Sequence, residues 1–445
     1  MSKSPTLGKR RLLDKVVCPH CWTSFPPEDV LWIAESPDLA GDMKLGETER
    51  ERFLPTEYNA HGFAVDAQVR ECRECACPHC HLPVPLSFLE APTVFMSIVG
   101  APASGKSYYL ASSTWFLRKI LPQKFKLDFS DADPKMNRRV QEYEALEFLS
   151  DENQLVELSK TEEQGDLYNS VQYDDQVVVY PQPFVFSVAP AVEHPNRNKI
   201  AKLARTICLY DNAGESYLPT RDADSFSFPV TRHLGQSECV FFLFDPIQDN
   251  RFRAACREYS DDPQLAETDD RQDYRRSPIR QETILAETIK RVRSARKMYA
   301  NDRYEGLFVV IVTKLDVWRD LLPTNEFQKD PIERASYNGQ DYWRLQTDRI
   351  QLVSSRVRSM LMKRAPEFVS AAENFAKEVV YIPVSATGVS PQIDPVTNRR
   401  GFRSRDVKPV WIATPMLYAL SRLTQGLAPA SSGGSKQDAA AEKRA

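Results

Sequence analysis

The sequence predicts an α/β protein built on a doubly wound, mainly parallel sheet, with a small cysteine-rich domain in front of it. Apolar runs near residues 93–99, 176–188, 203–210, 238–244, 307–313 and 378–384 alternate mostly with helical patterns such as "WRLQTDRIQLVSSRVRSMLMKRA". This alternation is typical of parallel strands with helices on both faces of the sheet. A glycine-containing loop joins the first run to a helical pattern, and six of the nine cysteines precede residue 81.

The composition is typical of a globular protein, and it gives no indication of a nucleic-acid partner or of a membrane span. The 445 residues are 42% hydrophobic and 27% charged, with a formal net charge of −3, so nucleic acid is not indicated. The basic start lacks the apolar core of a signal peptide, and no segment offers the ~18 apolar residues of a membrane span. We therefore expect a cytoplasmic protein without a membrane span.

Changes in composition along the chain suggest four parts. A flexible N-terminus (1–14) precedes a cysteine-rich module (15–90) and a larger domain (91–425) with insertions at about 122–175 and 246–280. The last residues, 426–445, are rich in Ala, Ser and Gly and poor in large apolar side chains, so we expect disorder there.

The cysteine-rich module contains the sequence CPHC twice, at residues 18–21 and 77–80. The C-x-x-C spacing places two thiolates on one tight turn, which is what each half of a tetrahedral zinc site requires. Four thiolates in a reducing compartment would repel one another and oxidise unless a cation held them. We therefore predict a zinc-ribbon-like domain with a structural Zn²⁺ bound by Cys18, Cys21, Cys77 and Cys80.

Other interpretations of the cysteines stay open at this point. The four thiols could instead form a redox pair or a disulfide cluster, which the expected cytoplasm disfavours. Cys72 and Cys75 have the same spacing and either lie beside the site or bind a second metal, and His20, His79 and His81 are adjacent nitrogen donors.

The loop after the first apolar strand reads G-x-x-x-x-G-K-S from Gly100 to Ser107. In this strand–loop–helix context, backbone N–H groups surround the β-phosphate of a nucleotide, the lysine reaches the β- and γ-phosphates, and the serine hydroxyl binds Mg²⁺. This is the P-loop of nucleotide triphosphatases. We predict that it binds a nucleotide through Gly100, Ala103, Ser104, Gly105, Lys106, Ser107 and Tyr108.

Three more motifs fall at the ends of apolar strands. "DNAG" supplies Asp211, which can hold Mg²⁺ through water, and Gly214, whose amide can sense the γ-phosphate. "TKLD" supplies Thr313, Lys314 and Asp316, and "SAT" supplies Ser385 and Ala386. In an open α/β sheet the carboxyl ends of the strands form the ligand site, so all four motifs are expected at one place.

In order, "GAPASGKS", "DNAG", "TKLD" and "SAT" resemble the G1, G3, G4 and G5 motifs of the TRAFAC class of P-loop GTPases, whose fold is Ras-like. The resemblance implies that the ligand is GTP or GDP with Mg²⁺ and that the activity is GTP hydrolysis. It also implies that Asp316 accepts hydrogen bonds from the guanine N1 and N2 groups, that Lys314 packs along the base, and that the Ala386 amide meets O6.

The CPHC turns together with the GTPase motifs are similar to the bacterial double-GTPase group over about residues 15–425. This resemblance implies protein partners, either another GTPase or an effector, in a bacterial conflict or defence system. It also raises a possible homodimer, because GTPases of this type often pair across their nucleotide faces.

Two expected catalytic positions depart from the family pattern or are hard to place. The expected catalytic residues are Lys106, Glu215 and Thr161. Glu215 stands where many relatives carry a glutamine. Thr161 is the candidate for the threonine of the switch I segment that binds Mg²⁺. Glu215 can act as a base or repel the γ-phosphate. We therefore expect a Mg²⁺-dependent GTPase switch that controls a partner or effector protein. The alternatives are a nucleotide-stabilised scaffold that does not hydrolyse GTP and whose zinc module binds a partner, or an ATPase.

Overall fold

The central sheet has seven strands in the computed structural model, which describes residues 6–7, 10–158, 168–211, 232–266, 280–322, 326–337, 340–395 and 400–431. The strands are β1 (Thr93–Gly100), β2 (Leu127–Asp131), β3 (Phe184–Pro190), β4 (Arg205–Asp211), β5 (Cys239–Phe244), β6 (Tyr304–Val312) and β7 (Ala376–Pro383).

The spatial order of the strands is β2-β3-β4-β1-β5-β6-β7. Strand β1 runs parallel to both β4 and β5, and the pairs β5/β6 and β6/β7 are also parallel. Strand β3 runs antiparallel to β2 and β4. The structure is therefore a mixed α/β fold whose sheet is mostly parallel, as predicted. The parallel strands bring the carboxyl ends of β1, β4, β5, β6 and β7 to one edge.

Two sequence segments fold differently from the prediction. The first insertion contributes an edge strand of the main sheet, β2, because its short apolar alternation pairs with β3. The run at 176–188 is two strands rather than one: Gln176–Pro181 forms an antiparallel hairpin with Tyr168–Tyr173, and the chain then enters β3.

Six longer helices flank the sheet, and each buries part of its surface. In α4, for example, Ile350, Val353, Val357 and Leu361 are buried at the spacing of a helix face. The helices are α1 (Lys106–Ile120), α2 (Arg138–Phe148), α3 (Gln281–Arg296), α4 (Thr347–Arg364), α5 (Pro366–Phe375) and α6 (Thr414–Leu423). None of the helices in the described part of the chain combines the length and the apolar character needed to cross a bilayer.

Short elements complete the larger domain. Single turns or two turns of helix form at Ile200–Leu203, His233–Gln236, Asn250–Cys256 and Leu315–Trp318. Ile332–Tyr337 pairs with Gln340–Leu345, and Gln392–Ile393 pairs with Arg400–Gly401.

The N-terminal module packs on one face of the sheet, which corrects the expectation of helices on both faces throughout. Side chains alternate between the faces of a strand. In β4, Ile207 and Leu209 join the helical core, whereas Cys208 and Tyr210 join the core that contains the module's cysteines. Phe95 of β1 also joins the module. All residues of β5 lie in the hydrophobic core that the sheet forms with the helices. Helices therefore cover both faces of the sheet only at β5 and at the strands beyond it, β6 and β7.

Short strands and turns build the module itself. Its largest sheet has four strands in the order Pro83–Val84, Cys75–Ala76, Leu31–Ile33 and Arg52–Phe53. Two-stranded pairs form between Val16–Val17 and Ser24–Phe25, Ala40–Asp42 and Gly46–Arg50, and Ala64–Val65 and Glu71–Cys72. A short helix, Ser87–Glu90, leads into β1.

Both ends of the chain are ordered further than the sequence predicts. Leu12 is buried and the Leu13 N–H donates to the Leu89 carbonyl, so packing starts inside the segment expected to be flexible. The composition predicts a disordered tail from Gly426, but Leu427 is buried and the N–H of Ser431 donates to the Leu345 carbonyl. Apolar contacts and backbone pairing hold residues 426–431, a local effect that composition averages out.

Candidate functional site

The glycine-rich loop lies at the carboxyl end of β1 and opens α1. Gly105, at φ 92°, turns the chain into the helix, and Lys106 is the first helical residue. The Lys106 ammonium is almost fully buried and donates to the carbonyl oxygens of Gly100 at 2.9 Å and Ala101 at 3.0 Å. The loop thus places a buried cation beside the N–H groups of a helix N-terminus, an arrangement suited to an anion.

One cavity of about 280 Å³ joins this loop to the other motifs. It collects the predicted site residues from the ends of β1, β6 and β7, except Gly100. Asp211, at the end of β4, does not line it. Those that line it are Ala103, Ser104, Gly105, Lys106, Ser107, Tyr108, Thr313, Lys314, Asp316, Ser385 and Ala386. Asp211 ends β4 and is 4% exposed. Thr161, Gly214 and Glu215 lie outside the described residues.

The carboxylate of Asp316 is held by the loop after β7. The Ser385 hydroxyl donates to Asp316 Oδ1 and accepts a hydrogen bond from the N–H of Gly388 at 2.7 Å. Burial raises the pKa of Asp316, and the Ser385 hydrogen bond acts in the opposite direction. A half-buried carboxylate with a fixed orientation can discriminate strongly between ligands that offer N–H donors and ligands that do not.

Lys314 lies beside Asp316 in a left-handed conformation, with φ 55°. Its ammonium forms an ion pair with Asp245 Oδ2 at 2.7 Å and donates to Gln264 Oε1 at 3.0 Å. The Gln248 amide donates both to Asp245 Oδ2 at 3.1 Å and to the Pro102 carbonyl at 3.0 Å. Asp245 and Gln248 therefore tie the glycine-rich loop to the loop that follows β6.

A second link reaches Ala386 from the helix after the glycine-rich loop. Ser112 Oγ lies 2.8 Å from both Glu147 Oε1 and the Ala386 carbonyl. Burial raises the pKa of Glu147 well above its usual value. A hydroxyl has one proton to give, so Ser112 can donate to only one of these two oxygens at a time.

Sequence reasoning missed one wall of the cavity. Two distant segments form it, because Val156 and Phe402 exchange backbone hydrogen bonds of 2.9 Å. The Phe402 ring meets Tyr108 edge to face at 5.4 Å, and the Tyr108 hydroxyl accepts from the N–H of Leu158 at 3.0 Å. Neither segment carries a motif, and the two segments are far apart in the chain, so no sequence signal could have identified the pairing.

The four predicted cysteines form a cluster in the N-terminal module. Cys18 Sγ lies 3.7 Å from Cys80 Sγ, Cys21 Sγ lies 3.7 Å from Cys77 Sγ, and all four sulfur atoms are within 4.8 Å of one another. Tetrahedral Zn²⁺ with bonds of about 2.3 Å separates its sulfur ligands by about 3.8 Å. The cluster therefore fits a tetrahedral metal ion such as zinc.

The two CPHC turns have the same local structure. In each turn, the backbone N–H of the histidine donates to the sulfur of the first cysteine at 3.3 Å. The pairs are His20 with Cys18 and His79 with Cys77. The residue after each turn, Trp22 or His81, has φ near 60°. Such N–H···S bonds stabilise thiolates, which is the form that binds a metal.

The thiols divide into two kinds. Burial raises the pKa of Cys18 and of Cys80. Hydrogen bonds from Cys18 lower the pKa of Cys21 and of Cys77. A divalent cation would favour ionisation of all four thiols.

The nearby histidines and the other C-x-x-C pair do not join the cluster. His20 Nε2 lies 3.1 Å from the Pro83 carbonyl, and His81 Nδ1 lies 2.7 Å from Asp42 Oδ2. Cys72 and Cys75 are buried, and over the described ranges only the four predicted cysteines group as metal ligands.

Comparison with known proteins gives distant similarities. No family model matches the chain. A protein of Mycolicibacterium smegmatis, provisionally named as the ESX-1 scaffolding and assembly protein SaeC, is 23% identical over 428 residues, which cover 89% of this chain and 98% of that protein.

Two solved structures show weak similarity. The GTP-bound GTPase-like domain of S. cerevisiae Ski7 aligns with a TM-score of 0.24 and 13% identity, covering 75% of this chain and 51% of that one. A protein of Thermus thermophilus, ttk003000868, gives a TM-score of 0.20 and 10% identity, covering 66% of this chain and 38% of that one. Similarity this low carries no argument about fold or function.

Proposed function

We propose that the cavity binds a guanine nucleotide with Mg²⁺ and that the chain is a GTPase switch of the P-loop, Ras-like type whose nucleotide state controls a protein partner or effector. One observation carries the proposal: a single cavity is lined both by Lys106 with the N-terminus of α1 and by the oriented carboxylate of Asp316. The first suits phosphates, and the second suits a base with adjacent N–H donors.

Each part of the cavity has a role in this proposal. Lys106 and the first N–H groups of α1 hold the β- and γ-phosphates, and the Ser107 hydroxyl holds Mg²⁺. Asp211, at the end of β4 and outside the cavity lining, holds Mg²⁺ through water. Asp316 accepts from guanine N1 and N2, and the alkyl part of Lys314 packs along the base. Mg²⁺ held by these residues would supply positive charge against the phosphates.

Competition against a fluorescent GDP analogue on the full chain with Mg²⁺ tests nucleotide binding. We expect GTP and GDP to compete and ATP to be weaker by about 10³-fold or more, since adenine leaves the carboxylate unpaired. Asp316→Asn should lose GTP binding and gain binding of xanthine nucleotide, while Asp320→Asn, an exposed neighbour, should change neither. Equal competition by ATP and GTP would contradict a guanine site.

The phosphate end has its own matched pair of variants. Lys106→Ala should abolish binding of di- and triphosphates, because no other residue lining the described cavity supplies this buried cation, while Lys119→Ala on the exposed side of the same helix should not. Retention of full affinity by Lys106→Ala would exclude the loop as the phosphate site.

The relative named for scaffolding and assembly favours a second candidate function. In that alternative the nucleotide is a structural ligand, the zinc module contacts a partner, and GTP is not hydrolysed. Phosphate release by the purified chain separates the two functions. GTP turnover that Lys106→Ala abolishes supports the switch, whereas tight GTP binding with no turnover, with or without a partner, supports the scaffold. A role in bacterial conflict or defence belongs to the switch proposal.

A further inference from the structure

One tyrosine joins the first CPHC turn to the end of β4. Tyr210 is fully buried, and its hydroxyl accepts from Trp22 Nε1 at 3.0 Å and donates to the carbonyl oxygen of Pro19. Pro19 lies between the two cysteines of the turn, and Trp22 directly follows it. A strand of the main sheet is thus held by the backbone and side chain of a metal-binding turn.

The other side of Tyr210 is also fixed. Its ring stacks on His233 with centroids 4.6 Å apart and planes at 16°. His233 Nδ1 in turn lies 2.6 Å from the hydroxyl oxygen of Ser97 on β1, beside Ser237. Burial lowers the pKa of His233 to about 3, so its imidazole is neutral in this stack at neutral pH. Both the ring face and the hydroxyl of Tyr210 are in contact with neighbours, so the side chain is held in a single position.

The position of Tyr210 determines that of the next residue. Asp211 shares a peptide unit with Tyr210, and its side chain leaves the opposite face of β4. A shift of the tyrosine therefore moves the carboxylate of Asp211. Sites that bind metal or substrate are sensitive to displacements of about 1 Å.

We propose that Tyr210 is a positioning residue through which the zinc-bound CPHC turn sets the place of Asp211, and hence the affinity of the nucleotide site for Mg²⁺. This inference rests on the proposed function, in which Asp211 holds Mg²⁺. It assigns to the zinc module a part in the chemistry of the main domain in addition to its structural role.

Tyr210→Phe in the full, zinc-loaded chain is the direct test, because it keeps the ring stack and removes only the hydroxyl. The change removes two hydrogen bonds, to Trp22 and to Pro19. The Mg²⁺ concentration for half-maximal retention of a fluorescent GDP analogue should rise about two- to tenfold, which corresponds to the net free energy of about one hydrogen bond reaching the Mg²⁺ site. Affinity in excess chelator, without Mg²⁺, should not change. Zinc content, measured by atomic emission, should stay that of the wild type.

Trp22→Phe removes the donor from the other side and should raise the Mg²⁺ requirement in the same direction. Tyr180→Phe is the matched control, since Tyr180 lies edge to face with Trp22 at 6.1 Å but is not on β4. Removing zinc from the wild type should raise the Mg²⁺ requirement, with a smaller further effect in Tyr210→Phe.

The possible failures are distinguishable. If Tyr210→Phe lowers the melting temperature but leaves the Mg²⁺ requirement unchanged, Tyr210 only stabilises the fold and the inference is wrong. If the wild type retains no nucleotide at any Mg²⁺ concentration, the proposed function fails, and the inference falls with it.

Discussion

The ion pair between Lys314 and Asp245 should respond unequally to removal of its two partners. Asp245 is completely buried, whereas the Lys314 side chain is 19% exposed. Lys314→Met leaves an ionised carboxylate in the core with two neutral donors, the Ile247 N–H and the Gln248 amide, each at 3.1 Å. Removing one partner of a buried pair costs about 3–5 kcal/mol, and the two remaining donors place the expected loss near the lower end.

Asp245→Asn should cost less. The asparagine oxygen keeps an acceptor for the Ile247 N–H, and the Gln248 amide still donates to the Pro102 carbonyl. The freed ammonium still donates to Gln264 and reaches solvent. We expect a loss of about 1–1.5 kcal/mol, comparable to one ordinary hydrogen bond. The double variant should lose less than the sum of the two, with a coupling energy of about 1–2 kcal/mol, because it buries no unpaired charge.

Urea denaturation followed by tryptophan fluorescence measures these differences as shifts of the midpoint at constant slope. Trp318 is a suitable reporter, because its indole N–H donates to the Thr313 carbonyl beside the pair. Lys119→Met, on an exposed position, should stay within about 0.5 kcal/mol of the wild type. If Lys314→Met costs less than Asp245→Asn, the reasoning from burial is refuted.

Three further predictions concern the cysteine cluster, a buried histidine and a loop glycine. Cys77→Ser should lose the metal measured by atomic emission, while Cys72→Ser should retain it; equal loss from both would contradict the assigned ligands. The pKa of His233 is lowered to about 3 from 6.5, so between these values the unfolded chain binds a proton at this residue and the folded chain does not. The free energy of unfolding should therefore fall as pH drops below 6.5, by at most about 1.4 kcal/mol per pH unit. Thermal melting between pH 4.5 and 7.5 should show this slope reduced in His233→Gln. Gly388 has φ 74°, and the Cβ added by Gly388→Ala would lie 1.9 Å from the Lys408 carbonyl oxygen. We therefore expect a lower melting temperature and weaker nucleotide binding. An unchanged melting temperature would contradict this loop geometry.

Much of the sheet could be predicted because buried parallel strands are continuous apolar runs. Strands β5 and β6 are examples, since all residues of β5 and residues 307–312 of β6 are buried. The edge strand β2 could not be found this way, because its five residues alternate and become a strand only through pairing with β3. The packing of the cysteine module on Cys208 and Tyr210 could not be predicted either. The spacing of apolar residues indicates that a side chain is buried, but not which part of the chain covers it.

The candidate site was predictable only where local geometry creates it. The glycine-rich loop and the CPHC turns each depend on a few consecutive residues, so their spacing can be read directly. Asp245 and Gln248 follow β5 and look like an ordinary turn, and their role appears only when the loops after β1 and β6 meet. The wall formed by Val156 and Phe402 depends on a contact between two segments that are far apart in the chain.

The packing of the cysteine module on β4 has a consequence for synthesis on the ribosome. The module is complete at about residue 90, but Tyr210 emerges about 120 residues later. At ~5–20 residues per second this is a delay of roughly 6–24 s, during which the nascent module has no sheet to cover. Early capture of metal by the cysteines would keep their thiols from oxidation over that interval, so shortage of zinc during translation should lower the yield of folded chain more than removal of zinc afterwards.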